Sequence, residues 1–258
     1  MLALVYCVQQ SCIYCDSRSE CYQIEDFDGE VLVKTNAIEL LRKELASKRV
    51  KGVIGLGSMN DPYMPLEAEI NLAGRALEVI AEFGFPVHII TKSDLVLKDL
   101  ETLKRINRVY ASVSFTITTA DDDLAAKVEP LAPRPSARLA AMRILADNSI
   151  QTGVTMMPIL PFIEDTEENI AGVVKSAAAA GATYILPSMG MTMRDRQRDY
   201  YYRQLDRLFP GLRETYERVF GDRYSCHAPY SKKLYAIFGT LCMQYGVATK
   251  LPLYAPQA

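Results

Sequence analysis

Residues 85–118, FPVHIITKSDLVLKDLETLKRINRVYASVSFTIT, hold the pattern that decides the fold. Two nearly continuous apolar, β-branched-rich runs, 85–91 and 109–118, flank a segment, 95–106, whose apolar residues recur at helical spacing. Runs of this kind are expected of parallel strands covered on both faces, and a tight strand–helix–strand unit implies a right-handed crossover. The same texture extends outward. Further runs at 2–6, 50–56, 150–158 and 183–187 alternate with helical stretches at 37–47, 67–83, 135–146 and 167–180, the last stopped by Gly181. Six strand–helix repeats are fewer than a closed eight-strand barrel needs. They predict an α/β fold, a partial (β/α)6 barrel of parallel strands, with a doubly wound sheet as the other architecture such repeats build. After Met189 the texture changes to helices rich in Arg, Tyr and Leu over 195–220, then an apolar helix over 230–245. The chain is expected to divide into a barrel core, 1–190, and a helical C-terminal extension, 191–258, packed on it.

Composition narrows the function classes. The chain has 258 residues, 49% hydrophobic and 23% charged, which suits one enzyme-sized globular domain with a large core. A net charge of -2 offers no basic excess for phosphates, so nucleic acid is possible but unsupported by charge. No stretch of about 18 apolar residues predicts a membrane span. The apolar start at 1–6 is short, lacks a basic lead-in and runs straight into a cysteine, so no signal peptide is expected. The expectation is a cytoplasmic protein, where clustered thiols bind metal or do chemistry more often than they form disulfides.

Four of the six cysteines fall within fifteen positions, in Cys7-VQQS-Cys12-IY-Cys15-DSRSE-Cys21, directly after the first apolar run. Thiolates this close on one loop can wrap a soft metal centre, zinc or an iron–sulfur cluster. Three ligands leave a coordination position open, whereas four close the centre. Parallel α/β folds keep their chemistry at the carboxyl ends of strands, which singles out Cys7 onward, 57–61, 91–93, 114–118 and 156–161.

The loop Cys12-Ile-Tyr-Cys15-Asp-Ser-Arg-Ser resembles the cluster loop of the radical S-adenosylmethionine proteins, in particular the spore photoproduct lyase-like branch. That branch has CxxxCxxC with an aromatic before the last cysteine, which Tyr14 supplies. Gly57-Ser-Met-Asn-Asp-Pro-Tyr63 with Pro65 and Glu67, Thr91-Lys-Ser93, Ser114-Phe-Thr116, and Glu129-Pro130 with Arg138 extend the resemblance over about residues 6–190. One departure stands out. Four residues separate Cys7 from Cys12, and Val8 occupies the position of the first cysteine; the segment before the loop is also shorter than the family carries. Either the loop bulges by one residue and Cys7 still reaches iron, or the site is degenerate.

The resemblance implies a [4Fe–4S] cluster on Cys7, Cys12 and Cys15, with S-adenosyl-L-methionine (SAM) on the open iron. It further implies reductive cleavage to a 5′-deoxyadenosyl radical, hydrogen abstraction from a substrate not named by the sequence, and a reducing partner such as flavodoxin or ferredoxin. Around the cofactor, Ser58 and Asp61 suit its ammonium, Lys92 or Arg138 its carboxylate, and Ser114 and Thr116 its ribose. Each residue also suits an ordinary role: Asp61-Pro62 a turn, Lys92 a solvated loop, Arg138 a helix surface, the hydroxyls plain strand positions. Cys226 is a candidate hydrogen donor or a core thiol, and His88 reads as a satisfied core histidine. Tyr200, Tyr201 and Tyr202 among Arg194, Arg196, Arg198 and Arg203 read as a nucleic-acid surface or an amphipathic helix covering the barrel. Two other functions stay open: a zinc-stabilised α/β binding protein closed by Cys21, and a degenerate relative without catalysis.

Overall fold

The computed structural model describes residues 5–6, 11–24, 26–27, 29, 31–58, 60–252 and 254. In chain order the elements are β1 (Val5–Tyr6), β2 (Leu32–Val33), α1 (Ala37–Ser47), β3 (Ile54–Leu56), α2 (Glu67–Ile70), α3 (Leu72–Phe83) and β4 (Val87–Thr91). There follow α4 (Leu100–Ile106), β5 (Ala111–Thr116), α5 (Asp122–Val128), α6 (Pro135–Asp147), β6 (Gln151–Met156), α7 (Glu167–Ala179) and β7 (Tyr184–Pro187). The C-terminal part holds β8 (Gly190–Thr192), α8 (Asp195–Leu208), α9 (Leu212–Phe220), β9 (Ser225–His227) and α10 (Ser231–Tyr245).

Strands β3 to β7 form one five-stranded parallel sheet in sequence order. This is the α/β partial barrel, with one correction to its strand count. The run expected as the first parallel strand instead pairs antiparallel, Val5 opposite Val33 and Tyr6 opposite Leu32, in a separate two-stranded ribbon. Apolar character alone does not distinguish a sheet strand from a ribbon strand.

Residue alternation explains why the sheet is a partial barrel and not doubly wound. On β5, Ala111, Val113 and Phe115 are fully buried among the outer helices, in one core with Val87, Ile89, Val154 and Ile185. Their neighbours Ser112, Ser114 and Thr116 point to the other face, where they bond the hydroxyls of Tyr184 and Thr155. The helical side is supplied by α1, α3, α4, α6, α7 and α10, whose apolar residues Leu41, Leu77, Leu103, Met142, Val173 and Phe238 belong to that core. On the concave face Tyr184 reaches from β7 across Gly153 of β6. Its hydroxyl lies 2.9 Å from Ser112 Oγ and 2.7 Å from Ser114 Oγ.

Two helical expectations are corrected. The segment read as one helix over 67–83 breaks at Asn71, which sits in the left-handed region at φ 49. Glu67 makes the break stable, because its carboxylate accepts from the amides of Leu72 (2.8 Å), Ala73 (2.9 Å) and Gly74 (3.2 Å) and so caps α3. The segment over 95–106 begins as a 3-10 turn, Asp94–Asp99, before α4. Among the described residues no helix is long and apolar enough to cross a membrane.

Candidate active site

The cysteine loop folds on itself through backbone bonds from Cys15 N to Cys12 O (3.3 Å) and from Ser19 N to Asp16 O (2.9 Å). It is anchored to α5 by Ile13 N donating to Val128 O (2.9 Å). The Tyr14 hydroxyl donates to the buried carboxylate of Glu129, whose other oxygen accepts from Arg138 Nη2 at 2.5 Å. From outside, α8 clamps the same loop. Gln197 Nε2 donates to Tyr14 O (3.2 Å), and Arg196 donates to Arg18 O (2.7 Å) and Ile24 O (2.5 Å). Cys12 is buried and Cys15 half-buried.

Facing this loop are the strand ends. Gly57 turns the chain out of β3 at φ 93, where a Cβ would lie 1.9 Å from Ile90 O, so only glycine lets the loop approach β4. Asp61 then ties the two strand ends together. Its carboxylate accepts from Tyr63 N (2.9 Å), Thr91 Oγ1 (2.6 Å) and Lys92 N (2.6 Å). A ribbon of β8 and β9, with Met191 opposite Cys226, forms the far wall. These parts enclose a cavity of ≈ 560 Å³. Cys12, Tyr14, Cys15, Ser58, Asn60, Asp61, Lys92, Thr116 and Thr155 line it, together with Met157, Ser188, Met191, Thr192, Ser225 and His227.

The electrostatics centre on Lys92. Burial disfavours its ammonium, but Cys12, Glu129 and Asp61 outweigh that penalty and hold its pKa above the ordinary lysine value. Its Nζ lies 5.9 Å from the Tyr14 ring centroid. Among the described residues that ammonium has no hydrogen-bond or ion-pair partner. Asn60 Nδ2, also at the cavity, is buried and unpartnered. Burial pushes the Cys12 thiol up to about 12, with Lys92 opposing, and raises Cys15 as well. A metal bound by such thiols would have to displace their protons.

The structure brings Cys12, Tyr14, Cys15, Ser58, Asp61, Lys92 and Thr116 to one cavity, while Ser114 and Arg138 do not line it. Ser114 lies a layer deeper, bonded to His88 Nε2 (2.8 Å) and Tyr184, because inward side chains two residues apart on a strand sit at different heights. Arg138 is not a helix-surface residue and does not line the cavity. Its guanidinium is fully engaged by Glu129, Thr116 O (2.7 Å) and Pro133 O (2.7 Å). Asp61 already accepts three donors, so it organises the loop that presents Lys92. Cys226 alternates away from the cavity that its neighbours Ser225 and His227 line, and its thiol is buried among the tyrosines of α8 and α9. Cys7 and Val8 lie outside the described residues. Cys21 is exposed and outside the cavity, with Sγ 3.3 Å from Arg194 Nη1. Among the described residues, which do not include Cys7, no set of three His, Cys, Asp or Glu forms a metal cage.

The tyrosine–arginine segment is the amphipathic helix. Tyr201 and Tyr202 are buried, while Arg198 donates to the carbonyls of Met193 (3.2 Å), Gly221 (2.5 Å) and Arg223 (2.8 Å). Sequence reasoning missed the buried link through Glu129, the unpartnered Asn60 and the whole ribbon wall. Glu129 was visible as part of a motif, but a three-residue strand that pairs with another some thirty-five positions away leaves no periodic signal. The donor set that remains is soft thiols beside an unpaired ammonium, an unpaired amide and hydroxyls. It fits a thiolate-bound metal centre together with a small ligand that carries a carboxylate.

Comparison with known proteins agrees. The model of the radical SAM superfamily matches residues 4–175. The uncharacterized protein Rv2578c of Mycobacterium tuberculosis is 30% identical over 217 residues, 81% of this chain and 64% of that protein. The uncharacterized protein MJ0683 of Methanocaldococcus jannaschii is 32% identical over 161 residues, 62% of this chain and 60% of that protein. The chain thus spans less than two thirds of the length of these relatives. Among solved structures, spore photoproduct lyase complexed with dinucleoside spore photoproduct matches with a TM-score of 0.71 at 17% identity, over 96% of this chain and 74% of that one. A mutant of that lyase with bound AdoMet and dinucleoside spore photoproduct matches at 0.71 and 16%, over 95% of this chain and 74% of that one. The partial barrel is the fold of that lyase, and with most of its length matched by the family model the chain belongs to the radical SAM superfamily.

Proposed function

We propose that this protein is a radical SAM enzyme that carries a [4Fe–4S] cluster on Cys7, Cys12 and Cys15 and binds SAM in the ≈ 560 Å³ cavity beside it. The observation that carries this reading is one cavity shared by the Cys12 and Cys15 thiols and the unpartnered ammonium of Lys92. When bound, the two cofactors supply one-electron cleavage of the sulfonium and abstraction of a hydrogen atom from a substrate. The chain's own residues bind and orient. Lys92 meets the cofactor carboxylate as a point charge, and Asn60 Nδ2 adds a donor on the same side. Asp61 holds the Lys92 backbone in place through the 2.6 Å bond from its amide. Ser58 and Thr116 offer hydroxyls to the ammonium and ribose. Met157, Pro158 and Met191 keep water from the reacting centre. The substrate enters on the ribbon side, past Thr192, Ser225 and His227. A cytoplasmic flavodoxin or ferredoxin serves as reductant.

The test is anaerobic reconstitution with iron and sulfide, read by absorption, by iron and sulfide counts, and by release of 5′-deoxyadenosine with dithionite. A brown protein that releases 5′-deoxyadenosine supports the proposal. A colourless protein holding zinc overturns it. Iron without cleavage also counts against catalysis and makes the Val8 register the first feature to repair.

A further inference from the structure

A buried chain of hydrogen bonds joins the cysteine loop to the mouth of the barrel. It begins at the Tyr14 hydroxyl, which donates to Glu129 just after α5. Glu129 accepts from Arg138 of α6 at 2.5 Å. Arg138 then donates through Nη1 to the carbonyl of Thr116, the last residue of β5, at 2.7 Å, and through Nε to Pro133 O at 2.7 Å. Glu129 and Arg138 are each 1% exposed and Tyr14 is 7% exposed. Thr116 closes the circuit, since its own side chain lines the cavity and bonds Thr155 Oγ1 at 2.8 Å.

A buried Glu–Arg pair is a weak source of stability, because desolvating both charges offsets most of their attraction. Its usual value is geometric: a planar guanidinium and a carboxylate fix distance and angle together. Here the pair has a single loop-borne partner, Tyr14, which sits between Cys12 and Cys15. Every polar atom along the circuit is engaged, so movement of the cysteine loop strands a buried carboxylate oxygen.

We propose that Glu129 and Arg138 are positioning residues for the cysteine loop: with Tyr14 they form a latch that fixes the Cys12 and Cys15 thiols relative to the Thr116 edge of the cavity. They act through Tyr14 and touch neither substrate nor cofactor. The inference rests on the cluster-binding reading above, but the latch itself exists in the metal-free protein and is measured there first.

In the metal-free protein, amide hydrogen exchange over residues 12–15 should speed up about tenfold or more in Tyr14→Phe and Glu129→Gln, because each removes one bond to a charged acceptor. Exchange in the strands β4 and β5 should stay unchanged, which separates loop release from misfolding. Tyr14→Phe leaves the Glu129–Arg138 pair intact, and so serves as the variant least exposed to a folding defect. The double variant should add little to either single one, as expected of links in one chain. In the reconstituted protein both variants should lose iron about tenfold faster to a chelator and shift the electron paramagnetic resonance signal of the reduced cluster. Exchange over 12–15 at the wild-type rate in both variants, or strictly additive effects, overturns the latch. A wild-type chain that takes up no cluster overturns the cofactor reading instead, and the exchange experiment still decides the latch.

Discussion

The Lys92 ammonium lies beside the cavity with no hydrogen-bond or ion-pair partner among the described residues, while nearby negative groups hold its pKa above the ordinary lysine value. A cation placed there suits a ligand of opposite charge. Lys92→Met is expected to leave the metal-free protein as stable as wild type or slightly less so, while SAM binding weakens roughly tenfold to a hundredfold, the range for a lost charged hydrogen bond. Equilibrium dialysis with SAM and a thermal melt check both halves, and unchanged affinity removes Lys92 from the site. The cysteines divide in the same way. Cys12→Ala and Cys15→Ala should abolish iron uptake on reconstitution, whereas Cys21→Ala, whose thiol faces Arg194 outside the cavity, should retain the full iron count. Loss of metal in the Cys21 variant would instead restore the four-thiolate site. At this scale Cys12, Tyr14, Cys15 and Lys92 were legible because a short motif fixes residue type and spacing together. Arg138 was not, since a guanidinium suits a free carboxylate and a buried glutamate equally, and only the fold supplies Glu129 as the partner.

The elements show how the concave face is shaped. Tyr184 lies flat across β6 because Gly153 has no side chain; a Cβ there would come within 2.3 Å of its ring. Gly153→Ala must therefore push Tyr184 off Ser112 and Ser114, and is expected to cost about 1–3 kcal/mol in chemical denaturation. A variant as stable as wild type would mean that the ring finds another resting place. The alternation along β5 was present in the sequence, yet hydroxyl-bearing Ser and Thr pass for core residues in a strand-rich run. The run therefore read as covered on both faces. The break at Asn71 was hidden for a related reason: an amphipathic period continues through a left-handed residue, and the cap that stabilises the break comes from Glu67, four positions earlier.

For the molecule as a whole, the buried carboxyl of Glu164 sets a pH dependence. It joins the end of the barrel to the loop after β6, accepting from Thr118 Oγ1 (2.7 Å) and Leu160 N (2.9 Å). Burial, with lesser repulsion from Glu129 and Asp165, pushes its pKa from 4.5 up to about 8. The folded state then keeps a proton that the unfolded chain has already lost, so this group makes stability fall as pH rises from about 4.5 to about 8 and level off beyond. Glu164→Gln should flatten the melting temperature against pH across that window and raise it at the alkaline end. A slope that persists in the variant assigns the effect to another group.

The order of strands and helices, the one-loop cysteine cluster and the strand ends that hold polar residues were determined by the sequence itself, because all three are carried by local period and spacing. Tertiary structure decided which face of the sheet stays open, that β1 leaves the sheet, and that β8 and β9 meet to wall the cavity. It also decided that Arg138 and Asp61 bind protein groups while Lys92 is left facing the cavity. These outcomes depend on pairings between residues up to well over a hundred positions apart, such as Tyr14 with Glu129. Burial and hydrogen-bond saturation exist only once distant segments share one volume, and no local pattern encodes them.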